Sequence, residues 1–228
     1  MKFEILAEGP DWLAIHKPAG VSVHNDPQDV LHLLKKQLTD AKYQNMHLAH
    51  RLDKETSGVL LLALNPTRAK DLAEIFQRRD CIKIYHAVLR GPLNPSESWQ
   101  TWSWPLTDKA EGRQNPQGIS KDRIEAQTKY RVVKASKFLT LIEVELLTGR
   151  QHQIRKHAAI AKHAIVGDPR YNEAKYNDRM AHIYGTDRMF LHASSLSFVL
   201  DNKKVELHAP LPLEFEKLFN PSESPKPE

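Results

Sequence analysis

A charged loop directly ahead of an apolar run is the first stretch whose residue types could do chemistry. In HLAHRLDKETSGVLLLAL (residues 47–64), Asp53 stands between Arg51 and Lys54, and the apolar run GVLLLAL follows within a few positions. A carboxylate flanked by cations stays ionised at neutral pH and can serve as a nucleophile or a base. The spacing alone favours a simpler interpretation, in which the Asp53 side chain accepts backbone N–H bonds in a turn.

A strand-like segment, IKIYHAVLRG (residues 82–91), carries a second pair of polar side chains. Side chains alternate between the two faces of a strand, so Lys83 and Tyr85 share one face with Cys81 and Ala87. This face could frame a site for a planar, polar ligand. It could equally cover an edge of the sheet, and the sequence leaves both interpretations open.

A third stretch, residues 148–171, concentrates basic side chains, and no acidic residue intervenes before Asp168. The basic residues are Arg150, His152, Arg155, Lys156, His157, Lys162, His163 and Arg170. The apolar spacing predicts a helix over residues 152–164. A solvated cationic face is one interpretation. The predicted helix N-terminus beside Gly149 and Arg150 also offers N–H groups to a phosphate, which favours anion binding.

Several common catalytic motifs are missing from the sequence. It has neither the GxxxxGK[ST] loop that holds nucleotide phosphates nor the GxGxxG turn of dinucleotide-binding folds. There is no cysteine pair or HExxH segment for zinc, and Ser57 lacks the GxSxG turn of serine hydrolases. The sequence therefore gives no indication of a metal or cofactor site.

The composition is that of a globular protein with a basic excess. Of the 228 residues, 40% are hydrophobic and 27% charged, and the formal net charge is +5 with a pI near 9.2. A basic excess favours a polyanionic partner such as a nucleic acid. No apolar stretch approaches the roughly 18 residues of a membrane span, and the N-terminus is unlike a secretory signal. The single cysteine is compatible with a reducing compartment, so we expect a cytoplasmic protein.

The hydrophobic pattern predicts more strands than helices. Helices are expected over residues 27–38, capped by Asp26-Pro27, and directly after Asn65-Pro66, in addition to 152–164. Strands are expected at residues 3–8, 12–18, 58–64, 82–91, 127–135, 137–147, 190–200 and 203–210, the last two as a hairpin through Asp201-Asn202. This order predicts an α+β fold with a mainly antiparallel mixed sheet flanked by helices and loops.

The chain is expected to form a single domain over residues 1–218. Residues 106–124 are polar and interrupted by Gly and Pro, which predicts a long flexible loop. Residues 219–228, ending in NPSESPKPE, have the composition of a disordered tail.

Together these stretches resemble the RluA family of RNA pseudouridine synthases. HRLDKETSG (50–58) is similar in every fixed position to that family's signature, HRLDxxTSG. Further motifs follow the family's order from residue 15 to about 210: IHKPAGVSVH (15–24), KIYHAVLRG (83–91), AQTKY (126–130), LLTGRQHQIRKH (146–157), VGDPRY (166–171) and MFLHASSLSF (189–198). Two departures, His16 for the usual Asn and Ala164 for the usual Pro, lie outside the catalytic set that the resemblance implies.

The resemblance implies a pseudouridine synthase catalytic fold and an isomerase, an intramolecular transferase that uses neither cofactor nor metal. Asp53 would be the catalytic carboxylate, which either attacks C1′ of the ribose or assists departure of uracil through a glycal-like intermediate. Tyr85 would pack on the target base, Arg155 would pair with Asp53, and Arg51 would fill the space left by the flipped nucleotide. The remaining predicted RNA contacts are Thr56, Lys83, Arg150, His152, Lys156 and Lys162.

The resemblance is to the short, single-domain members that lack an S4 RNA-binding domain and act on tRNA or ribosomal RNA. We therefore expect RNA as the partner of a monomer that needs no obligate protein partner and no membrane. The alternative is a catalytically idle RNA-binding or RNA-remodelling protein on the same fold. The triplet Asp53, Tyr85 and Arg155 argues against it, because binding alone needs no buried carboxylate–arginine pair. A hydrolase of small anionic substrates is a more distant alternative.

Overall fold

The computed structural model describes residues 1–24, 26–95 and 98–219, and their contacts divide the chain into two compact units. Unit 1 comprises Met1–Lys83 and His192–Pro210, and unit 2 comprises Ile84–Leu191 and the chain from Leu211 onward. That residues 1–218 act as a single domain stays a prediction. The predicted tail, residues 219–228, lies outside the described residues except for Phe219.

The helices and strands fall close to the predicted positions. In the described part of the chain the strands are β1 (Glu4–Glu8), β2 (Trp12–Lys17), β3 (His47–Leu48), β4 (Ser57–Ala63), β5 (Cys81–Arg90), β6 (Gln100–Trp102), β7 (Thr128–Ala135), β8 (Leu139–Leu146), β9 (Leu191–Leu200) and β10 (Lys203–His208). The α-helices are α1 (Val30–Gln37), α2 (Pro66–Arg78), α3 (Gln153–Ile160), α4 (Ala174–Tyr184) and α5 (Leu213–Lys217). A short 3-10 helix spans Ala41–Tyr43.

Unit 1 is built on the buried strand β4. It pairs antiparallel with β2 and parallel with β9, while β1 extends the sheet beyond β2 and β10 beyond β9. Every residue of β4 is buried, which explains the unbroken apolar run in the sequence. Leu61 of β4 and Leu72 of α2 share a core cluster with Phe198 of β9 and Leu207 of β10. The charged loop of residues 51–56 therefore leads into the rigid centre of this unit.

Unit 2 holds an antiparallel sheet in which β5, β8, β7 and β6 are neighbours in that order. Its core cluster joins Val88 of β5 and Leu141 of β8 to Val166, Phe190 and Phe215. The predicted fold class, α+β with a mainly antiparallel mixed sheet flanked by helices, is confirmed: β4 and β9 form a parallel pair, and the other strand pairs described are antiparallel.

One predicted cap is confirmed and one is wrong. Asn65 caps α2, since its side chain accepts from the N–H of Arg68 and Pro66 opens the helix. Asp26 does not cap α1: its carboxylate accepts from the N–H of Gln28, and Asp29 caps the helix instead. The Asp26-Pro27 pair forms a turn that precedes the helix, closed by a bond from the N–H of Asp29 to the carbonyl of Asp26 (2.9 Å).

The predicted hairpin through Asp201-Asn202 is confirmed, and the predicted loop of residues 106–124 is closed by hydrogen bonds at its base. Asp201 and Asn202 both have positive φ angles, 51° and 58°, as expected of a two-residue hairpin turn between β9 and β10. The loop of residues 106–124 has defined internal contacts, because Leu106 and Ile124 exchange two backbone hydrogen bonds at its base (2.9 and 2.8 Å). The elements β3, β6, α4 and α5 and the 3-10 helix had no prediction.

Candidate active site

Backbone bonds fix the loop that carries Asp53 at both ends. Within the loop, the N–H of Thr56 donates to the carbonyl of Asp53 (3.1 Å), which closes a turn. The carbonyl of Lys54 accepts from the N–H of Gly20 (2.8 Å), so the loop is joined to the segment that follows β2. Asp53 itself is half-buried. A carboxylate held in this way has little backbone freedom to drift.

A buried lysine, Lys17 at the end of β2, ties the same loop down. Its side chain has no exposed surface. The ammonium group donates to the carbonyls of Pro18 (3.0 Å), Val21 (2.9 Å) and Lys54 (3.1 Å). Sequence reasoning noticed the motif around Lys17 but gave this residue no role. The signal available was a lysine inside an otherwise apolar predicted strand.

A hydrogen bond between side chains holds the start of β4 against β9. The Ser57 hydroxyl lies 2.8 Å from Nδ1 of His192, and Nε2 of the same ring lies 3.2 Å from the carbonyl of Ala209. A carbonyl only accepts, so Nε2 donates, and Nδ1 of a neutral imidazole then accepts from Ser57. Gly58 adjoins this pair with φ of 119°, and a Cβ there would meet the Ala193 carbonyl oxygen at 2.1 Å. Only glycine permits this close approach of the strands.

His50 holds the start of the Asp53 loop, three residues before Asp53. Its Nε2 accepts from the N–H of Leu61 (3.1 Å), and its ring packs on Phe76 with centroids 4.9 Å apart. Burial, together with the nearby charge of Lys83, lowers the pKa of His50 to about 4. At neutral pH the ring is therefore uncharged and able to accept from the backbone.

We expect the free energy of unfolding to fall as the pH is lowered from about 6.5 towards 4, in part through His50. Unfolded His50 takes up a proton near pH 6.5, whereas the folded residue resists until about pH 4. The unfolded state then binds more protons, which costs at most about 1.4 kcal/mol of stability per pH unit for one group. Urea unfolding at several pH values checks this. His50→Gln should flatten the dependence, and equal slopes for both proteins would contradict the assignment.

In unit 2, Tyr85 and Arg155 are both buried, with 8% and 2% of their surface exposed. Tyr85 lies on β5 opposite Val144 of β8. Arg155 lies on α3 and forms a bidentate ion pair with Asp168. Its Nε and Nη2 donate to the two carboxylate oxygens at 2.8 and 2.9 Å. The guanidinium also lies 5.4 Å from the ring centre of Tyr171. This geometry fixes the plane of the guanidinium, which has five N–H donors in all.

Asp168 is a functional candidate that sequence reasoning missed. It is fully buried, and besides Arg155 it accepts from the backbone N–H groups of Arg170 (2.8 Å) and Tyr171 (3.0 Å). The VGDPRY segment was noticed as a motif, but nothing in it indicated which basic residue Asp168 would bind. The two residues are 13 positions apart and meet only through the fold.

One prediction about the basic stretch is wrong. Lys156 was expected to hold an RNA phosphate, but its side chain is fully buried and its ammonium group donates to the carbonyl of Thr107 (2.7 Å). Burial also lowers its pKa. Anion binding at the start of α3 stays a prediction. Just before the helix, the N–H of Arg150 donates to the Gln153 side chain and the N–H of Gln151 to Asp108 (both 3.0 Å).

The other basic residues of this stretch lie nearer the surface. Lys162 is exposed and follows the end of α3 instead of lying on the helix, as the longer predicted helix required. Arg150 is partly exposed, and its Nε donates to the carbonyl of Glu125 (3.1 Å). His152 caps α3 with φ of 55°, and its Nδ1 lies 3.1 Å from the Tyr171 hydroxyl.

The predicted site residues are distributed over the two units. Unit 1 holds Arg51, Asp53, Thr56 and Lys83, and unit 2 holds Tyr85, Arg150, His152, Arg155, Lys156 and Lys162. Arg51 is exposed, whereas Thr56 is buried. Lys83 lies 5.6 Å from the ring centre of Phe76. Pairing between Asp53 and Arg155 stays a prediction.

The described residues also bear on two other kinds of site. No group of three or more His, Cys, Asp or Glu side chains there is arranged to hold a metal ion. No helix in the same residues has both the length and the apolar character to cross a membrane.

Comparison with known proteins gives a consistent result. The sequence pattern of the RNA pseudouridylate synthase family matches residues 11–160. The tRNA pseudouridine synthase C of Vibrio parahaemolyticus is 31% identical, over 96% of this chain and 94% of the relative. The ribosomal large subunit pseudouridine synthase C of Vibrio cholerae is 30% identical, over 93% of this chain and 67% of the relative.

Solved structures give the same fold. Human RNA pseudouridylate synthase domain containing 4 superposes with a TM-score of 0.77 and 26% identity, covering 99% of this chain and 95% of the other. The predicted resemblance is therefore confirmed, as is the prediction of an RNA-modifying isomerase. With a family pattern that covers residues 11–160 and relatives similar over nearly its whole length, this chain belongs to the RNA pseudouridylate synthase family.

Proposed function

We propose that this protein converts selected uridines of tRNA or ribosomal RNA to pseudouridine, with Asp53 as the catalytic carboxylate. The observation that carries the proposal is the immobilised loop of Asp53. The buried ammonium of Lys17 and the N–H of Gly20 both bind the carbonyl of Lys54, the residue after Asp53. A group that must approach C1′ of one nucleotide needs a backbone fixed to this degree.

The chemistry requires the target nucleotide to leave its base stack. The bond between N1 of uracil and C1′ breaks, the base turns, C5 bonds to C1′, the proton on C5 is released, and N1 takes up a proton. Neither the turn of the base nor the approach of a carboxylate to C1′ is feasible within a stack, so the base is flipped. Asp53 either bonds to C1′ or assists departure of uracil, and exposed Arg51 fills the vacated space.

In this scheme Tyr85 packs against the flipped base and Arg155 binds the Asp53 carboxylate. What supports the role of Arg155 is its rigid mounting by Asp168, which takes two of its five N–H donors. A guanidinium already fixed in orientation loses less conformational entropy when it binds a carboxylate. Asp168 also compensates the positive charge of Arg155, which buried arginine requires.

The RNA class follows from the relatives. One is named for tRNA and another for the ribosomal large subunit, at nearly equal identity, so both RNAs are proposed as substrate pools. The candidate RNA contacts that remain near the surface are Arg51, Lys83, Arg150, His152 and Lys162. We further propose that the enzyme acts as a monomer, without an obligate protein partner, in the cytoplasm.

The test is release of tritium from C5-tritiated uridine in unmodified bulk tRNA and, separately, in unmodified ribosomal RNA. Isomerisation must displace the C5 hydrogen, so the readout follows the reaction itself. We expect release from at least one pool with the wild type and none with Asp53→Ala. Release that is equal for both proteins, or absent for both, would overturn the proposal.

We expect Lys162→Gln to weaken RNA binding and to reduce its salt dependence. If the exposed ammonium neutralises one phosphate, the slope of log Kd against log salt concentration should fall by about 0.7–0.9. Fluorescence anisotropy with labelled RNA at four salt concentrations measures this slope. Lys204→Gln is the matched control, because Lys204 is also exposed but already pairs with Glu206 (2.5 Å). An unchanged slope for Lys162→Gln would place the RNA elsewhere.

A further inference from the structure

Thr56, at the end of the Asp53 loop, has a hydroxyl group that the free protein leaves unsatisfied. Only 1% of the residue is exposed, and among the described residues its Oγ1 has no hydrogen-bond partner. The neighbouring Ser57 is equally buried, yet its hydroxyl bonds to His192 at 2.8 Å. A buried polar group without a partner is costly to folding and rare in native proteins.

The position of Thr56 relative to Asp53 suggests which partner it lacks. The N–H of Thr56 donates to the carbonyl of Asp53 (3.1 Å), so the two residues are the first and fourth of a turn. The Cα atoms at the ends of such a turn lie within about 7 Å of each other. A small change in the turn or in one side-chain rotamer then brings a hydroxyl at one end to a carboxylate at the other.

Direct contact of Thr56 with RNA, as the sequence predicted, does not fit this burial. An oxygen with no accessible surface cannot be reached by a nucleotide unless the loop first rearranges. The missing partner is therefore more readily supplied by the protein than by the substrate. A carboxylate accepts about four hydrogen bonds, so Asp53 can take one from Thr56 in addition to its other contacts.

We propose that the Thr56 hydroxyl donates a hydrogen bond to the Asp53 carboxylate in the RNA-bound state, which makes Thr56 a positioning residue for the catalytic group. The inference rests on the proposed role of Asp53. The Thr56 hydroxyl then lowers the stability of the free protein, where it has no partner, and stabilises the RNA-bound protein, where it bonds to Asp53. Interactions made only on the way to the transition state accelerate the chemical step.

The experiment compares Thr56→Val, Thr56→Ser and Ser57→Ala with the wild type in thermal unfolding and in single-turnover tritium release. Valine keeps the shape of threonine and removes the unsatisfied hydroxyl, so the unfolding midpoint should rise by about 2–4 °C. The rate at saturating RNA should nevertheless fall about ten- to a hundredfold, and the RNA Kd should rise, because a hydrogen bond made only in the RNA-bound state contributes to affinity. Thr56→Ser keeps the hydroxyl and should stay within about threefold of the wild-type rate.

Rescue by Thr56→Ser and the behaviour of the Ser57 variant separate positioning from a structural role. Ser57→Ala removes a satisfied bond and should lower the unfolding midpoint, opposite in sign to Thr56→Val. A Thr56→Val protein with a lower midpoint or an unchanged rate, or a Thr56→Ser protein that loses as much rate as Thr56→Val, would overturn the inference. Absence of release by the wild type would instead overturn the proposed function, and this inference with it.

Discussion

Replacing Asp53 by Asn is expected to reduce single-turnover pseudouridine formation by at least about a thousandfold while leaving the fold intact. Asn has nearly the shape of Asp but cannot attack C1′ or stabilise positive charge on the ribose. RNA affinity should stay within about tenfold, because phosphate contacts dominate binding. Tritium release gives the rate and fluorescence anisotropy gives the affinity.

The control for Asp53→Asn is Glu55→Gln, which removes one negative charge from the same loop two residues away. We expect this variant to stay within about threefold of the wild-type rate. A loss of rate caused by local net charge would appear in both Asp53→Asn and Glu55→Gln, whereas a loss caused by removal of a reacting group would appear only in Asp53→Asn. Equal losses in the two variants, or a loss of RNA binding as large as the loss of rate, would show that Asp53 is not mainly chemical.

Asp168→Asn is expected to lower the free energy of unfolding by about 3–5 kcal/mol. The substitution leaves the buried guanidinium of Arg155 without its compensating charge, and an amide cannot accept from both Nε and Nη2 as the carboxylate does. It also weakens the acceptor for the N–H groups of Arg170 and Tyr171. Urea unfolding followed by circular dichroism measures the change.

A surface ion pair in the same unit is the comparison for Asp168→Asn. Glu173 pairs with Arg90 at 3.4 Å and with Arg113 at 3.7 Å, and all three side chains are at least 41% exposed. Glu173→Gln should cost no more than about 1 kcal/mol, because water screens both charges. If Asp168→Asn costs no more than Glu173→Gln, then Arg155 does not depend on Asp168 for its burial.

Local chemistry determined which elements could be predicted. Asn65-Pro66 caps α2 as expected, because a side-chain acceptor and a proline at the first helical position act within four residues. The same reasoning failed at Asp26-Pro27. The N–H of Val30, the first residue of α1, donates to the carbonyl of Ser22 (2.9 Å), and Asp29 rather than Asp26 reaches the next turn. Which of two aspartates caps the helix was thus decided by a contact outside the helix.

The candidate site likewise combines residues that the sequence could indicate with contacts that it could not. Asp53, Tyr85 and Arg155 could be proposed because the motifs that carry them resemble those of the pseudouridine synthase family, in the same order along the chain. The partner of Arg155 could not, since Asp168 meets it only after α3 has packed, and neither could the burial of Lys156 against the Thr107 carbonyl. A basic stretch in a sequence does not distinguish a lysine that faces solvent from one that supports a loop.

The three hydrogen bonds from Lys17 to carbonyl oxygens determine which features of this loop can vary in sequence. A carbonyl is present whatever the side chain, so the tether does not depend on which residues occupy positions 18, 21 and 54, provided that the backbone keeps its path. The Lys54 side chain is 56% exposed and adjoins Asp53, the proposed catalytic residue, in sequence. Substitution of Lys54 can therefore change the chemistry beside Asp53 while the backbone of the loop stays anchored.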